Sequence, residues 1–264
     1  MSANRISPLA YVDPGAELEG DVEVGPHCYV GAQVRIGRGT RLVSNVAVRG
    51  PCTLGRNNIV HPFASLGGDP QDLTWKGDPV SLEIGDDNVI YEFVTFNRGT
   101  PKEEGVTRIG SHNFLMAYVH IAHDCQVGNH TVLANNTTLA GHVRVHDHAI
   151  CGGFTAVHQF CRIGSYAYLG HGGAVVRDVP PYVMVSDYPQ RPRGINKVGL
   201  ERKGFDAERI RAIRQAFRVL YRQDLALEES VSRLQQMIND SGDPHADLAL
   251  LTNFLTASKR SIIR

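Results

Sequence analysis

The stretch from Ile109 to Val175 reads IGSHNFLMAYVHIAHDCQVGNHTVLANNTTLAGHVRVHDHAICGGFTAVHQFCRIGSYAYLGHGGAV. Every sixth position in it is apolar: Ile109, Leu115, Ile121, Val127, Leu133, Leu139, Val145, Cys151, Val157, Ile163, Leu169 and Val175. An earlier run carries the same period through Val12, Leu18, Val24, Val30, Ile36, Leu42, Val48, Leu54, Val60 and Leu66, and it returns at Ile84, Ile90 and Phe96. Four residues after each anchor stands a small or modest side chain, as at Ala16, Val22, Thr40, Thr131 and Val143. A period of six fits neither a helix nor an alternating strand. It predicts a β-solenoid in which each hexad is a short strand plus a corner, with the anchor in a narrow core and the small residue beside it. Three such flats close a coil of about 18 residues, and coils stack roughly 4.8 Å apart by backbone hydrogen bonds. The 25 anchors then make about eight coils, a prism roughly 40 Å long.

Two loops interrupt the repeat. Residues 67–80, GGDPQDLTWKGDPV, hold the single Trp, Trp75, with Gln71 and Asp72; residues 99–107 read GTPKEEGVT. A loop longer than a corner lies on the surface of a solenoid and is a place for function. The ladder is expected to stop at Asp178-Val179-Pro180-Pro181, because proline cannot donate to it. Residues 1–190 are therefore assigned to the solenoid. Beyond the polar connector SDYPQRPRG the period changes to three and four: Ile210, Ile213, Phe217, Leu220 and Tyr221 behind a capping Asp206, then Val231, Leu234 and Ile238, then Leu248, Leu251 and Leu255 after Pro244. This predicts three amphipathic helices in a C-terminal α-helical domain, 191–264. Its opening carries Arg202, Lys203, Arg209, Arg211, Arg214, Arg218 and Arg222. They form either a solvated face or a docking surface for an acidic partner.

The charges balance, 27 basic against 27 acidic, which argues against a nucleic-acid or membrane-surface binder. No apolar leader region and no window of about 20 apolar residues occur, so no membrane span is expected and the cytoplasm is the default compartment. Twelve His and five Cys invite a metal-site interpretation. The hexad phase places Cys28, Cys52, Cys125 and Cys161 at the small interior position and Cys151 at an anchor, where a thiol acts as a small hydrophobe. The 18-residue coil places His123, Gly141 and Gln159 in one vertical row, with His142 and His158 beside it and His120 just before it. His27, His61, His112, His130, His146, His148 and His245 are taken as solvated or turn residues. Two chemistries can use the row. A neutral imidazole can remove a proton from an attacking hydroxyl, with Asp124 fixing the tautomer and a glycine N–H receiving the oxyanion. Alternatively, imidazoles meeting at a subunit interface can hold zinc with a position open for water, as in the gamma-class carbonic anhydrases.

HIAHDCQVGNH (120–130), TLAGHVRV (138–145), GFTAVHQFCRIG (153–164), DVPPYV (178–183) and the ending KRSIIR (259–264) closely resemble the hexapeptide-repeat family of acyl carrier protein–UDP-N-acetylglucosamine O-acyltransferases. PQDLTWKGD, FNRGT (96–100) and GLERKGFDAERIRAIRQAFRVLYR (199–222) match as well. The resemblance implies a mainly β fold, a left-handed parallel β-helix of triangular section, followed by the helical domain. It implies transfer of a 3-hydroxyacyl group from acyl carrier protein to the 3-hydroxyl of UDP-N-acetylglucosamine, the first step of lipid A synthesis. His123 would be the general base, Asp124 its orienting partner, and Gly141 the oxyanion donor. His142 would contact the acyl 3-hydroxyl; His120, His158 and Gln159 would line the sugar pocket. Gln71 and Asp72 would reach the substrates from the first loop, and Asn196, Arg202 and Lys203 would hold the uridine diphosphate. Members are homotrimers with sites between neighbouring solenoids, use no metal or other cofactor, and receive the acidic carrier protein on the basic helices. Departures from the family pattern are Thr74, Asn97, Val198, Ser261, the SDYP turn, and His171, which replaces a glycine at the bottom of the acyl groove. A bulky His171 is expected to select a medium rather than a long acyl chain. A 3-amino acceptor, a zinc enzyme and a non-catalytic scaffold remain alternatives at this point.

Overall fold

The computed structural model describes residues 3–188, 190–241 and 243–264; Met1, Ser2 and Pro189 of the stretches discussed above lie outside them. The hexads form short strands gathered into three sheets of 11, 9 and 8 strands. The coils wind left-handed. Equivalent residues on successive coils pair in parallel 18 apart, as His120 does with Thr138 and Thr138 with Ala156. The two loops lengthen their coils without breaking this ladder, since Ile59 pairs with Val89 and Val89 with Phe114. Every anchor from Val24 to Val175 is buried, none more than 4 % exposed, whereas Val12 and Leu18 on the terminal coil are half-buried.

The corners follow a rule of their own. The third residue after most anchors has positive φ: Asp21, His27, Asn45, Asn57, Asp87, His112, Asp124, His130, Asn136, His142 and His148, but also Phe63, Phe93, Tyr118, Phe154, Phe160 and Tyr166. Asn, Asp and His tolerate this left-handed region because a short polar side chain bonds locally; bulky rings do not favour it. The rings gain by stacking. Phe63, Phe93 and Tyr118 form one column, with centroids 5.0 and 4.9 Å apart. His112, His130, His148 and Tyr166 form another, at 4.8, 4.8 and 4.7 Å. The coil repeat thus coincides with a favourable ring spacing. Of the histidines taken as solvated or turn residues, His112, His130 and His148 are turn residues held in such a stack.

The ladder does not stop at Pro180-Pro181, as was expected. Val183–Ser186 joins the first sheet in parallel beside Tyr168–Leu169, and Arg191–Ile195 then adds to it in antiparallel. The prolines occupy a corner, where no ladder N–H is required of them. Among the described residues four helices follow: α1 (Lys197–Arg202), α2 (Ala207–Arg222), α3 (Leu227–Ser241) and α4 (Asp247–Thr256). Asp206 caps α2 as predicted, accepting from the N–H groups of Glu208 and Arg209 at 3.0 and 2.9 Å. The short α1 was not expected; Asn196 starts it by accepting from the Gly199 N–H at 3.1 Å. Arg209 is committed to a bidentate pair with buried Asp247, at 2.8 and 2.9 Å, and so is structural rather than free for docking. The other six basic residues of that face are exposed.

Candidate active site

Both loops leave the prism at one corner, between the second and third sheets. Residues 67–80 follow Ser65–Gly68 there, and 99–107 follow Thr95–Asn97 one coil later. The next three coils bring His123, Gly141 and Gln159 to the same corner. Two insertions and the imidazole row therefore share one edge, stacked level upon level.

Asp124 is the fixed point of this edge. It is 1 % exposed. Its Oδ1 accepts the Thr100 N–H at 2.8 Å, and its Oδ2 accepts the Thr100 hydroxyl at 2.6 Å and bonds His123 Nδ1 at 2.9 Å. Its own N–H donates to Thr107 Oγ1 at 2.8 Å. Burial pushes the carboxyl up, but the bonds from His123 and Thr100 outweigh burial and hold it below its ordinary value. It is an anion that accepts three hydrogen bonds, and by engaging Nδ1 it leaves His123 Nε2 as the nitrogen available to a substrate.

Gly141 lies directly over that ring. A Cβ built there would be 2.5 Å from His123 Cε1 and 2.8 Å from Nε2, so no larger residue fits. Among the described residues nothing accepts from the Gly141 N–H, as is also so for the N–H groups of His123 and Gln159, the equivalent residues one coil before and one coil after it at this corner. A donor beside a base is what an acyl-transfer site requires.

His142 is 7 % exposed, stacks on Phe160 at 4.3 Å and meets His123 edge-on at 5.1 Å. Its Nδ1 is 3.3 Å from Glu103 Oε1, out of line for a hydrogen bond, and has no other hydrogen-bond partner. It lines a cleft of about 610 Å³ with Arg144, Arg162, Lys259 and Arg260, a basic setting for acidic substrates. A larger groove of about 900 Å³ runs along the third sheet and contains none of His120, His123, His142 or His158. His120 Nδ1 bonds Thr95 Oγ1 at 2.7 Å, and burial pushes its pKa down. Exposed His158 bonds the Gln159 carbonyl at 3.1 Å, and Arg260 of the returning C-terminal tail reaches both. In the first loop Asp72 accepts from Lys102 and, at 2.8 Å each, from the N–H and hydroxyl of Thr74, which together pull it well below the usual carboxylate range. Gln71 is exposed beside it. Asn97 anchors the same loop through the Asp69 carbonyl at 2.7 Å. Thr74 and Asn97 thus both hold the loop.

The remaining expected residues lie elsewhere on the prism. His171 is exposed at the corner between the first and second sheets. Asn196 is buried at the corner between the third and first, where its Nδ2 donates to the Tyr166 carbonyl at 3.0 Å, and Arg202 and Lys203 are exposed at the end of the helix it starts. One chain therefore does not bring these two groups to His123.

The ligand atoms of His123, Asp124 and His142 come within 4.8 Å of one another, a spacing a metal ion could use. Three donors already reach the Asp124 oxygens, two from Thr100 and one from His123. The five cysteines are buried; burial pushes the thiols of Cys52, Cys125 and Cys151 up to about 12 and that of Cys161 to about 11. None is a nucleophile at neutral pH.

Comparison with known proteins gives the family. A family profile described as Udp N-acetylglucosamine O-acyltransferase, domain 2, matches residues 178–263, and one described as bacterial transferase hexapeptide matches 107–141. The acyl carrier protein–UDP-N-acetylglucosamine O-acyltransferase of Thiobacillus denitrificans is 48% identical over 98% of this chain and 99% of its own. The chain belongs to the UDP-N-acetylglucosamine O-acyltransferase family. Its counterpart in Alkalilimnicola ehrlichii is 51% identical over 98% of this chain and 99% of its own. The crystal structure of UDP-N-acetylglucosamine O-acyltransferase from Moraxella catarrhalis superimposes with a TM-score of 0.94, at 41% identity, covering 98% of this chain and 99% of that one. From sequence, Thr100, Thr107 and Glu103 went unnoticed. Thr100 lies within FNRGT, and the signal available was its place at the mouth of a loop one coil before His123.

Proposed function

We propose that the protein transfers a 3-hydroxyacyl group from the phosphopantetheine of acyl carrier protein to the 3-hydroxyl of UDP-N-acetylglucosamine, the first committed acylation toward lipid A, in the cytoplasm. The observation that carries this is the His123–Asp124 pair beneath an uncapped Gly141 N–H; the names of the relatives supply the substrates. His123 Nε2 takes the proton of the sugar 3-hydroxyl as its oxygen attacks the thioester carbonyl. The Gly141 N–H receives the oxyanion of the tetrahedral intermediate. Collapse expels the pantetheine thiolate, which takes the proton back from the imidazolium. No acyl-enzyme forms, and no metal or other cofactor takes part. His142 contacts the acyl 3-hydroxyl; His120, His158, Gln159, Gln71 and Asp72 surround the sugar and acyl group. Holding two substrates in register supplies about 7–11 kcal/mol of the acceleration.

The working unit in this proposal is a homotrimer with sites between neighbouring prisms. His123, His171 and Asn196 with Arg202 and Lys203 stand at three different corners of one prism, and packing three copies about a common axis places different corners side by side. The column of Phe63, Phe93 and Tyr118 at the corner between the first and second sheets, with Phe154 two coils further on, each at least 44 % exposed, supplies apolar surface for that contact. Among the described residues no helix is long and apolar enough to cross a membrane. The exposed arginines of α2 receive the acidic carrier protein. A competition assay offers carrier-bound 3-hydroxyacyl chains of several lengths together with UDP-N-acetylglucosamine, with and without a chelator. The expected product is the 3-O-acyl nucleotide sugar from a medium chain, insensitive to the chelator, with His171→Gly preferring longer chains. Absence of acyl transfer, or loss of it on chelation, would contradict the proposal.

A further inference from the structure

The loop of residues 99–107 does more than cover the edge. Both of its ends hold Asp124: Thr100 through its N–H and its hydroxyl, Thr107 by accepting the Asp124 N–H. Thr100 is 1 % exposed and Thr107 is fully buried. The Thr100 hydroxyl, at 2.6 Å, donates to the same Oδ2 that bonds His123 Nδ1. Hydroxyl, carboxylate and imidazole therefore form one continuous chain of hydrogen bonds. Asp124 itself sits in the left-handed region, with φ of 61°, so its neighbours must keep its side chain aimed. A buried carboxylate with two oxygens and one ring partner could rotate or take a proton; the paired donors of Thr100 oppose both.

We propose that Thr100 is a positioning residue of the acyl-transfer site, locking the Asp124 carboxylate in the orientation that holds the His123 ring with Nε2 toward the substrate. Through it the second insertion becomes part of the catalytic apparatus rather than a surface loop. The other ionisable groups around this chain of bonds are His142, 3.8 Å from Asp124 Oδ2, and Glu103 beside His142, with His120 across the row.

The test compares Thr100→Val, nearly isosteric but without the hydroxyl, with Thr100→Ser, which keeps it. Thr100→Val is expected to lower kcat about 10- to 100-fold with both KM values within about threefold of wild type. Thr100→Ser restores kcat to within about threefold of wild type. With the hydroxyl absent, less carboxylate charge is drawn toward Thr100 and more bears on the imidazolium. The acid limb of the kcat/KM profile therefore moves to higher pH in the valine variant. Thr100→Ala, which places no second methyl beside the carboxylate, is read in the same way should valine disturb folding. An unimpaired valine variant, a serine variant as impaired as valine, or a kcat that falls only in step with the melting temperature at an unmoved pH profile would overturn the assignment. The inference rests on His123 as base, so His123→Ala is measured alongside. If that variant is undiminished the base role fails; if it is impaired while Thr100→Val is not, only the role of Thr100 fails.

Discussion

At Gly141 the absence of one methyl group decides whether the site can exist. An added Cβ would fall inside the contact distance of two His123 ring atoms, and the ring cannot retreat because Asp124 holds its other nitrogen. Gly141→Ala should displace the base from the oxyanion donor. We expect kcat to fall by about 10²–10³-fold while the melting temperature changes little, since Gly141 itself has negative φ and the ladder bonds through Ala140 and His142 are kept. Activity assays with matched thermal melts check this. The row of His123, Gly141 and Gln159 was legible because coil arithmetic needs only the period. The partners of Asp124 were not, because the loop that delivers Thr100 has no period of its own.

The coils of the prism are cross-braced at their corners by columns of rings. The His112–His130–His148–Tyr166 column meets the helical domain where Tyr166 packs edge-on against Phe205 at 5.1 Å. Burial, with help from Lys203 and His130, pushes the His148 pKa down, and burial also lowers those of His146 and His120. The folded state therefore binds fewer protons than the unfolded chain below the ordinary histidine value of about 6.5. Stability is full above that pH and declines as pH falls through the lowered folded values. Carboxylates with depressed pKa, such as Asp124 and Asp206, lose their contribution only at more acidic pH. His148→Phe keeps a ring in the stack, as Phe93 and Phe160 do at their corners, and removes a buried nitrogen that has no hydrogen-bond partner among the described residues. It should lessen the fall in melting temperature between about pH 7 and 5; an unchanged fall would assign the acid sensitivity to other groups. The left-handed corner residue was visible in the sequence as recurrent Asn, Asp and His three residues after the anchors. Pro180-Pro181 misled for a related reason: proline ends a strand, but a corner can absorb it.

At the scale of the molecule, the proposed function divides one site among three corners of the prism, so on that proposal activity would belong to an assembly. Trimers mixed from His123→Ala and Arg202→Ala/Lys203→Ala chains should regain activity that neither variant has alone, because one interface of a mixed trimer pairs an intact base with an intact nucleotide clamp. No recovery would place the whole site within one chain. The measurement that bears most directly on the account is acyl transfer from 3-hydroxyacyl carrier protein to UDP-N-acetylglucosamine by wild type and His123→Ala of equal thermal stability. The account predicts a loss in kcat of about 10²–10⁴-fold. Undiminished turnover in the variant would contradict it.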